Sequence, residues 1–531
     1  MVSKQNMEEQ NRMKNNMNDI NDLNMPKPKE VFGFFKEIAA IPHGSKNTAA
    51  ISDYLVDFAV KRGLNYRQDE LGNVIIFKAG KGDAPVILQG HMDMVCEKEP
   101  DCNKDMSREG LDLYIDGEEL KARGTTLGGD DGIAVAMALA ILDRDDNDLP
   151  PIEAIFTVDE EIGMLGAAAI DVSDIKGRRM INIDSEEEGV FTVSCAGGVV
   201  AKASMAVGRD TVGQPPEANN TYSIKVSGLI GGHSGIEIHK NRANAIVLLG
   251  RILQRLRDDI GIRIISLRGG SKDNAIPVEA EAVIVTDDQA GLIDGVIDRI
   301  REDIREEYRT TDPDIDILCQ PIGSAAFSDR EGIAELQPMT EDSTDKLIYM
   351  LTCLPNGIQR MSPDVEGLVQ TSLNMGILKN IRENAPVADK GDSGRDCEVS
   401  ARDSIELTFC VRSSVASEKD MLKRRLKDMM HAIGGGIEFE GDYPGWQYRV
   451  DSPLRDTMKE VYISQHKEEP VIEAVHAGVE CGFFADKLPG LDCVSIGPKL
   501  SEIHTFRESM NIPSVERTYR LVLETLRRLA G

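Results

Sequence analysis

Three short apolar runs in the first half of the chain each stop abruptly on a histidine or a group of acids. PVILQ runs into Gly90-His91-Met92-Asp93, AIFTV into Asp159-Glu160-Glu161, and MINI into Asp184 and the glutamates after it. Between the first two lies GIAVAMALAIL, residues 132–142, apolar around its whole circumference and so expected as a buried helix. Helix signals at VFGFFKEIAAIP and NTAAISDYLVDFAVKRG precede a further short strand, GNVIIFKAG. Strands buried on both faces and alternating with helices predict an α/β layer architecture, in which ligands gather at the carboxyl ends of the strands.

Beyond about Ser204 the texture changes. TYSIKVSGLIGGHSG and IPVEAEAVIVTDD alternate apolar and polar residues, as a sheet with one covered face requires, and a helix follows at QAGLIDGVIDRIREDIREEY. VEGLVQTSLNMGIL, SIELTFCVRSS and a helix over 418–433 repeat that plan, and the α/β texture returns from about Tyr443. The expected fold is therefore a split α/β domain, its mixed sheet covered by helices and its two parts spanning 27–203 and 442–531. An inserted α+β domain of two related units spans 204–441. Residues 1–26, poor in aliphatic and aromatic side chains, are expected as a flexible extension. Charged stretches near 337–346 and 381–400 lengthen the middle domain and receive no function.

Bulk properties narrow the class. Nine scattered cysteines without a CxxC pair argue against a secreted disulfide framework. No apolar run nears the roughly 18–20 residues of a membrane span, and a charged-then-apolar signal pattern is lacking at the start, so a cytoplasmic protein without a membrane partner is expected. A formal net charge of −29 opposes a nucleic-acid partner, because a phosphate backbone would meet repulsion.

Chemistry concentrates in four places. His91 suits a metal through one ring nitrogen, with Asp93, two residues along an extended chain, holding the other. Asp130 and Asp131 in LGGDDGIA read either as a helix N-cap or as ligands, and two adjacent acids between glycines exceed what a cap needs. Asp159-Glu160-Glu161 crowds three carboxylates, costly in a buried site unless a cation or shared proton offsets the repulsion. Asp184 closes the set. Each has an ordinary reading as a surface or capping group, but four at successive strand ends fit a site for two ions. Imidazole and oxygen donors without cysteine suit zinc, manganese or cobalt.

The ordered motifs GHMDMV, TTLGGDDGIA, TVDEEIGM, NIDSEE, GGHSGIEIHKNRANA and GPKLSEIH resemble the dinuclear-zinc metallopeptidase family of carnosinase-like dipeptidases, aminoacylases and succinyl-diaminopimelate desuccinylase. The branch most similar to it is that of the aminoacyl-histidine (cytosol nonspecific, Xaa-His) dipeptidases, from about Pro28 onward. The resemblance implies two Zn2+ per chain, with Mn2+ or Co2+ as substitutes. His91 and Asp184 would hold one ion, Glu161 and His504 the other, and Asp130 would bridge them across a cis Asp130–Asp131 bond. It also implies Glu160 as general base and acid, Asp93 as orienting partner of His91, and His233 of GGHSG as the oxyanion stabiliser. Asn274, Arg412 and Gly478 would contact substrate; Arg412, whose fork suits a terminal carboxylate, reads equally as a surface arginine. His239 and His476 are taken as structural. Phe506 stands where the family more often has proline, which leaves the loop after His504 less constrained. The implied substrate is a dipeptide, of Xaa-His type or broader, with acyl-amino acids as the alternative; a non-catalytic metal- or peptide-binding protein is disfavoured because Glu160 is intact. The middle domain reads as a lid; its second unit could take the place of a partner's lid, so closure over its own active site is expected, delivery of His233 to a partner subunit is the alternative, and a homodimer stays open.

Overall fold

A computed structural model describes residues 25–146, 148–210, 220–286, 291–322, 337–383 and 402–531. The expected extension over 1–26 lies almost entirely outside them, as does most of the charged stretch at 381–400. The chain divides into two units: residues 1–195, 445–475 and 479–531 form the first, and 196–444 with 476–478 the second. Among the described residues no helix is long and apolar enough to cross a membrane.

In the first unit, Val86–His91 and Ile152–Thr157 are buried along their whole length, as strands covered on both faces must be. They pair in parallel with each other, and Val86–His91 also pairs with Arg179–Asn182, which pairs with Asp492–Ser495. These four form the centre of a mixed eight-stranded sheet. Side chains alternate between its faces: Leu88, Phe156 and Ile181 join one core, while Ile87, Ile155 and Met180 join the other. The first core is built on helix Gly129–Leu142, buried at every position from Gly132 to Leu142, with Lys29–Ala39 packed against it. The parallel strands all deliver their carboxyl ends to one edge, where the acids and His91 stand.

The second unit is one antiparallel sheet of two nested halves. Strands Thr221–Ser227, Ile262–Gly269, Ala280–Thr286 and Asp316–Pro321, with helices Ala245–Ile260 and Leu292–Glu307, make a βαββαβ half in spatial order 4-1-3-2. Strands Gly197–Ala206, Val369–Glu383, Arg402–Ser413 and Gly436–Tyr443, with helices Glu341–Cys353 and Ala416–Ala432, repeat that order, and the halves join at the Gly269–Leu378 pairing. Two related units were expected, but with one helix each. Their boundaries also differ from the sequence reading. The first half is inserted between the first strand and first helix of the second, so Gly197–Ala206 belongs here and the break falls after Cys195 rather than after residue 203. The second break falls after Pro444 rather than 441, because Tyr443 still pairs with Gly198. The charged residues 341–346 open helix Glu341–Cys353 and are integral to this plan instead of an addition to it.

Candidate active site

His91 closes strand Val86–His91, and the residue before it must be small. A Cβ on Gly90 would lie 2.5 Å from both Asp131 Oδ2 and Ala134 Cβ, so the bare backbone lets helix Gly129–Leu142 approach the strand. Asp131 Oδ2 then accepts the His91 amide at 3.2 Å. The Asp130–Asp131 peptide bond is cis, as expected. Glu160 and Glu161 follow strand Ile152–Thr157 through Asp159, which is held at φ 55° while its carboxylate accepts the Lys46 amide at 2.6 Å. Asp184 lies two residues beyond Arg179–Asn182, and His504 two residues after Glu502 in a loop where both have left-handed φ.

These side chains converge. The two carboxylate oxygens of Asp130 face different imidazoles, Oδ1 at 3.1 Å from His91 Nε2 and Oδ2 at 3.1 Å from His504 Nε2. Asp184 Oδ1 lies 3.5 Å from His91 Nε2, and Glu161 Oε2 lies 3.0 Å from His504 Nε2. His91, Asp130 and Glu161 present donor atoms within 4.8 Å of one another, as do His91, Asp131 and Asp184. Donors sharing one tetrahedral ion with bonds of about 2.0–2.2 Å stand roughly 3.3 Å apart, so these separations fit a metal. The Glu161 Oε1 atom is buried without a hydrogen-bond partner, which also fits.

The electrostatics point the same way. Burial pushes Glu160 up to about 9, Asp184 up to about 6 and Asp131 well above its usual range, each reinforced by neighbouring carboxylates. Burial also works against the Asp130 charge, but bonds from His504 and His91 outweigh it and hold that carboxyl well below the ordinary range. Asp130 and Glu161 raise His504 to about 10. Five carboxylates thus face at most two imidazolium charges. Such a set favours a dication, whose field keeps carboxylates ionised.

Asp93 departs from its expected geometry. The atom nearest His91 Nδ1 is the Asp93 backbone carbonyl at 3.0 Å, whereas the carboxylate stands 3.5 Å away. That carboxylate accepts the Glu160 amide at 3.0 Å, the Glu161 amide at 3.4 Å and the Ser45 hydroxyl at 2.8 Å. One residue therefore orients the His91 ring through its backbone and the Glu160-Glu161 turn through its side chain.

The second unit assembles a different set. His233 pairs with Ala275 in a two-stranded ladder, and the Asn274 carbonyl accepts the Ser234 amide at 2.8 Å, so His233 and Asn274 are neighbours. His233 Nδ1 accepts the Gly235 and Ile236 amides at 3.2 and 3.1 Å. Burial, then Arg412, lowers the His233 pKa, so the ring is neutral with its proton on Nε2, available for donation. Arg412 is buried, donates to the Tyr443 hydroxyl at 3.1 Å and keeps a buried Nε without a partner. A Cβ on Gly235 would lie 2.4 Å from the His476 carbonyl, 3.0 Å from His233 Cε1 and 3.2 Å from Arg412 Nε. Residues 476–478, carrying Gly478, thus sit in this cluster. His476 is bonded to the Ser372 hydroxyl at 2.7 Å, and burial pushes it down to about 3. His239 lies in the short helix Ile238–Lys240.

The model of peptidase family M20/M25/M40 matches residues 87–528, which takes in all three segments of the first unit in whole or in part and the whole of the second. The chain belongs to this family. It is 33% identical over 515 residues to the cytosol non-specific dipeptidase of Escherichia coli, covering 96% of this chain and 99% of that protein. The crystal structure of aminoacylhistidine dipeptidase from Vibrio alginolyticus superposes with a TM-score of 0.85 at 32% identity, covering 95% and 98% of the two chains. Aminopeptidase PepT from Bacillus cereus shares the fold, at a TM-score of 0.51 and 14% identity over 96% and 100% of the chains. The protein is accordingly an M20 hydrolase, with the mixed sheet and separate antiparallel sheet of that architecture.

Several residues around the M20 site were missed in the sequence. His43 is buried, its Nε2 without a partner, near Asp93 and His91. Glu480, fully buried, accepts from Gln89 Nε2 and Thr157 Oγ1, both at 2.6 Å, and Asn182 donates to Gln89 at 2.6 Å. The strands offered a signal: Gln89 and Asn182 are polar interruptions of apolar runs, each two residues before His91 or Asp184 and hence on the same face.

Proposed function

We propose that this M20 enzyme is a metal-dependent dipeptidase acting on Xaa-His or a broader set of dipeptides in the cytosol, as the names of its E. coli and Vibrio relatives say of those proteins. The observation that carries the reading is the placing of Asp130 between His91 and His504. His91 and Asp184 would hold one ion, Glu161 and His504 the second, and Asp130 both; Asp131 is committed to the His91 amide. Two Zn2+, or Mn2+ or Co2+, would supply a lowered pKa for the attacking water and polarisation of the scissile carbonyl.

The chain's own groups do the remainder. Glu160 takes a proton from the attacking water and delivers it to the leaving amine, with its backbone fixed by Asp93. Burial alone would leave its carboxyl protonated; with the two ions bound, the ionised form that can accept this proton would be favoured. His233, neutral and with Nε2–H free to donate, stabilises the oxyanion. Arg412 has an unpartnered buried N–H and binds the terminal carboxylate, while Asn274 and Gly478 contact the peptide. Clamping that end favours dipeptides over longer chains. The reading is tested by turnover on β-alanyl-histidine, glycyl dipeptides, a tripeptide series and N-acetyl amino acids. Dipeptides are expected to be hydrolysed fastest; preference for N-acetyl amino acids would replace the reading with an acyl-amino-acid amidohydrolase.

A further inference from the structure

Glu508 is only 3% exposed, yet it is a carboxylate, and no part of the chemistry above uses it. Its Oε2 accepts the amides of Leu127 and Gly128 at 2.8 and 3.0 Å, and its Oε1 those of Gly129 and Asp130 at 2.8 and 3.3 Å. Four successive backbone N–H groups aimed at one point form an anion-binding nest, here filled by the chain itself. The glycines make the approach feasible. Gly128 takes φ 65°, and a Cβ on Gly129 would already stand 3.2 Å from Glu508 Oε1.

The two segments joined by this carboxylate are those that meet at the candidate metal centre. Asp130 is the last residue of the nest, and Glu508 lies in the loop that carries His504, its own amide donating to the Thr505 carbonyl at 3.1 Å. We propose that Glu508 is a positioning residue for the metal centre: it fixes the Asp130 backbone relative to His504, so that one carboxylate can serve both ions. The inference rests on the metal reading given above. It also accounts for glutamate at this position. A carboxylate offers two acceptor oxygens with about four lone-pair sites, one for each amide, whereas glutamine would turn an NH2 group towards two amide donors. Aspartate keeps the charge but is one methylene too short to reach all four amides without moving the loop.

The test uses the full chain, freed of metal by chelator, in wild-type, E508Q, E508D and D492N forms. Asp492 is a matched control. It is a buried carboxylate that accepts from Ser452 Oγ and the Leu454 amide at 2.5 and 2.9 Å, at the opposite end of the parallel strands. Zinc affinity is measured against a competing chelator, thermal stability on the metal-free proteins, and hydrogen exchange on amides 127–130. E508Q is expected to bind zinc about 10- to 100-fold more weakly, the usual cost of losing an outer-shell partner, with faster exchange at those amides. E508D should lose affinity as well, which a pure charge effect would not produce. D492N should melt earlier with zinc affinity unchanged. Wild-type affinity in E508D, or a loss in both Glu508 variants no greater than in D492N, would overturn the inference. If E508Q does not fold, E508D decides alone by the same criterion. Failure of wild type itself to bind zinc would instead remove the metal reading and this inference with it.

Discussion

Asp130 and His504 are 374 residues apart in sequence and meet at 3.1 Å, on the side of the Asp130 carboxylate that His91 does not occupy. Contact between a helix start early in the chain and a loop near its end requires the first unit to be assembled from chain on both sides of the inserted segment. The candidate centre is therefore complete only when both parts of the split domain are folded together.

Glu160 and Glu161 are adjacent in sequence and should separate cleanly in function. Glu160→Ala is expected to lower turnover by about 10²- to 10⁴-fold, the range for a lost acid–base group, with metal content intact. Glu161→Ala, which removes the partner of His504 at 3.0 Å, should weaken metal binding instead. Metal analysis beside steady-state kinetics checks both, and loss of metal in Glu160→Ala would break the assignment.

The metal-free protein should lose stability as pH rises. Burial lifts Asp184 to about 6 and Glu480 to about 7, from ordinary values of 3.8 and 4.5. The folded state then holds more protons than the unfolded chain across this interval, so the stabilisation present below about pH 4 fades through pH 7, and Glu160, raised to about 9, extends the loss above it. A bound cation favours the ionised carboxylates, so the loaded enzyme should show a flatter profile. Melting temperatures of both forms from pH 4.5 to 8 test this; parallel profiles would contradict it.

Gly235→Ala should damage catalysis without touching the metals. The added Cβ would stand 2.4 Å from the His476 carbonyl and 3.0 Å from His233 Cε1, so one of them must move. Turnover is expected to fall at least 10-fold with metal content unchanged. Normal kcat and KM would show that this cluster does not act on substrate.

His233 belongs to the second unit, and delivery to the reacting carbonyl of its own chain is the expected arrangement. His233→Ala should lower kcat by about 10²- to 10³-fold, the loss typical of a missing oxyanion donor. Mixing that variant with His91→Ala should restore no activity. Recovered activity in the mixture would establish delivery between subunits.

Much of the centre was legible because physical chemistry confines it. His91, Glu160 and Asp184 end apolar runs, and a parallel sheet collects such ends on one edge. His504 carried no such signal: the strand before it, Leu500–Ser501, is two residues long, so only the family resemblance singled it out. The nested plan of the second unit was hidden for a different reason. VFTVSC and GGVVAKASMA follow each other with one intervening residue, so an almost unbroken strand-like run crosses the boundary between units. Helix Glu341–Cys353 opens on EDSTDK, which reads as a charged loop until Thr340 is seen accepting the Ser343 amide as its N-cap. Asp93 illustrates the remaining limit. Its spacing from His91 was informative, but which of its oxygens meets the ring depends on Ser45 and the Glu160 amide, which are remote in sequence.

The central claim is that Asp130 joins two ions to one active site, and the most direct measurement is zinc titration of the metal-free wild type and of Asp130→Ala, followed by stoichiometry and dipeptide turnover on the same samples. The account predicts two zinc equivalents per wild-type chain with activity rising as they bind, and weakened binding at both sites with no turnover in Asp130→Ala. A single equivalent in the wild type, or two tight equivalents and normal turnover in Asp130→Ala, would contradict it.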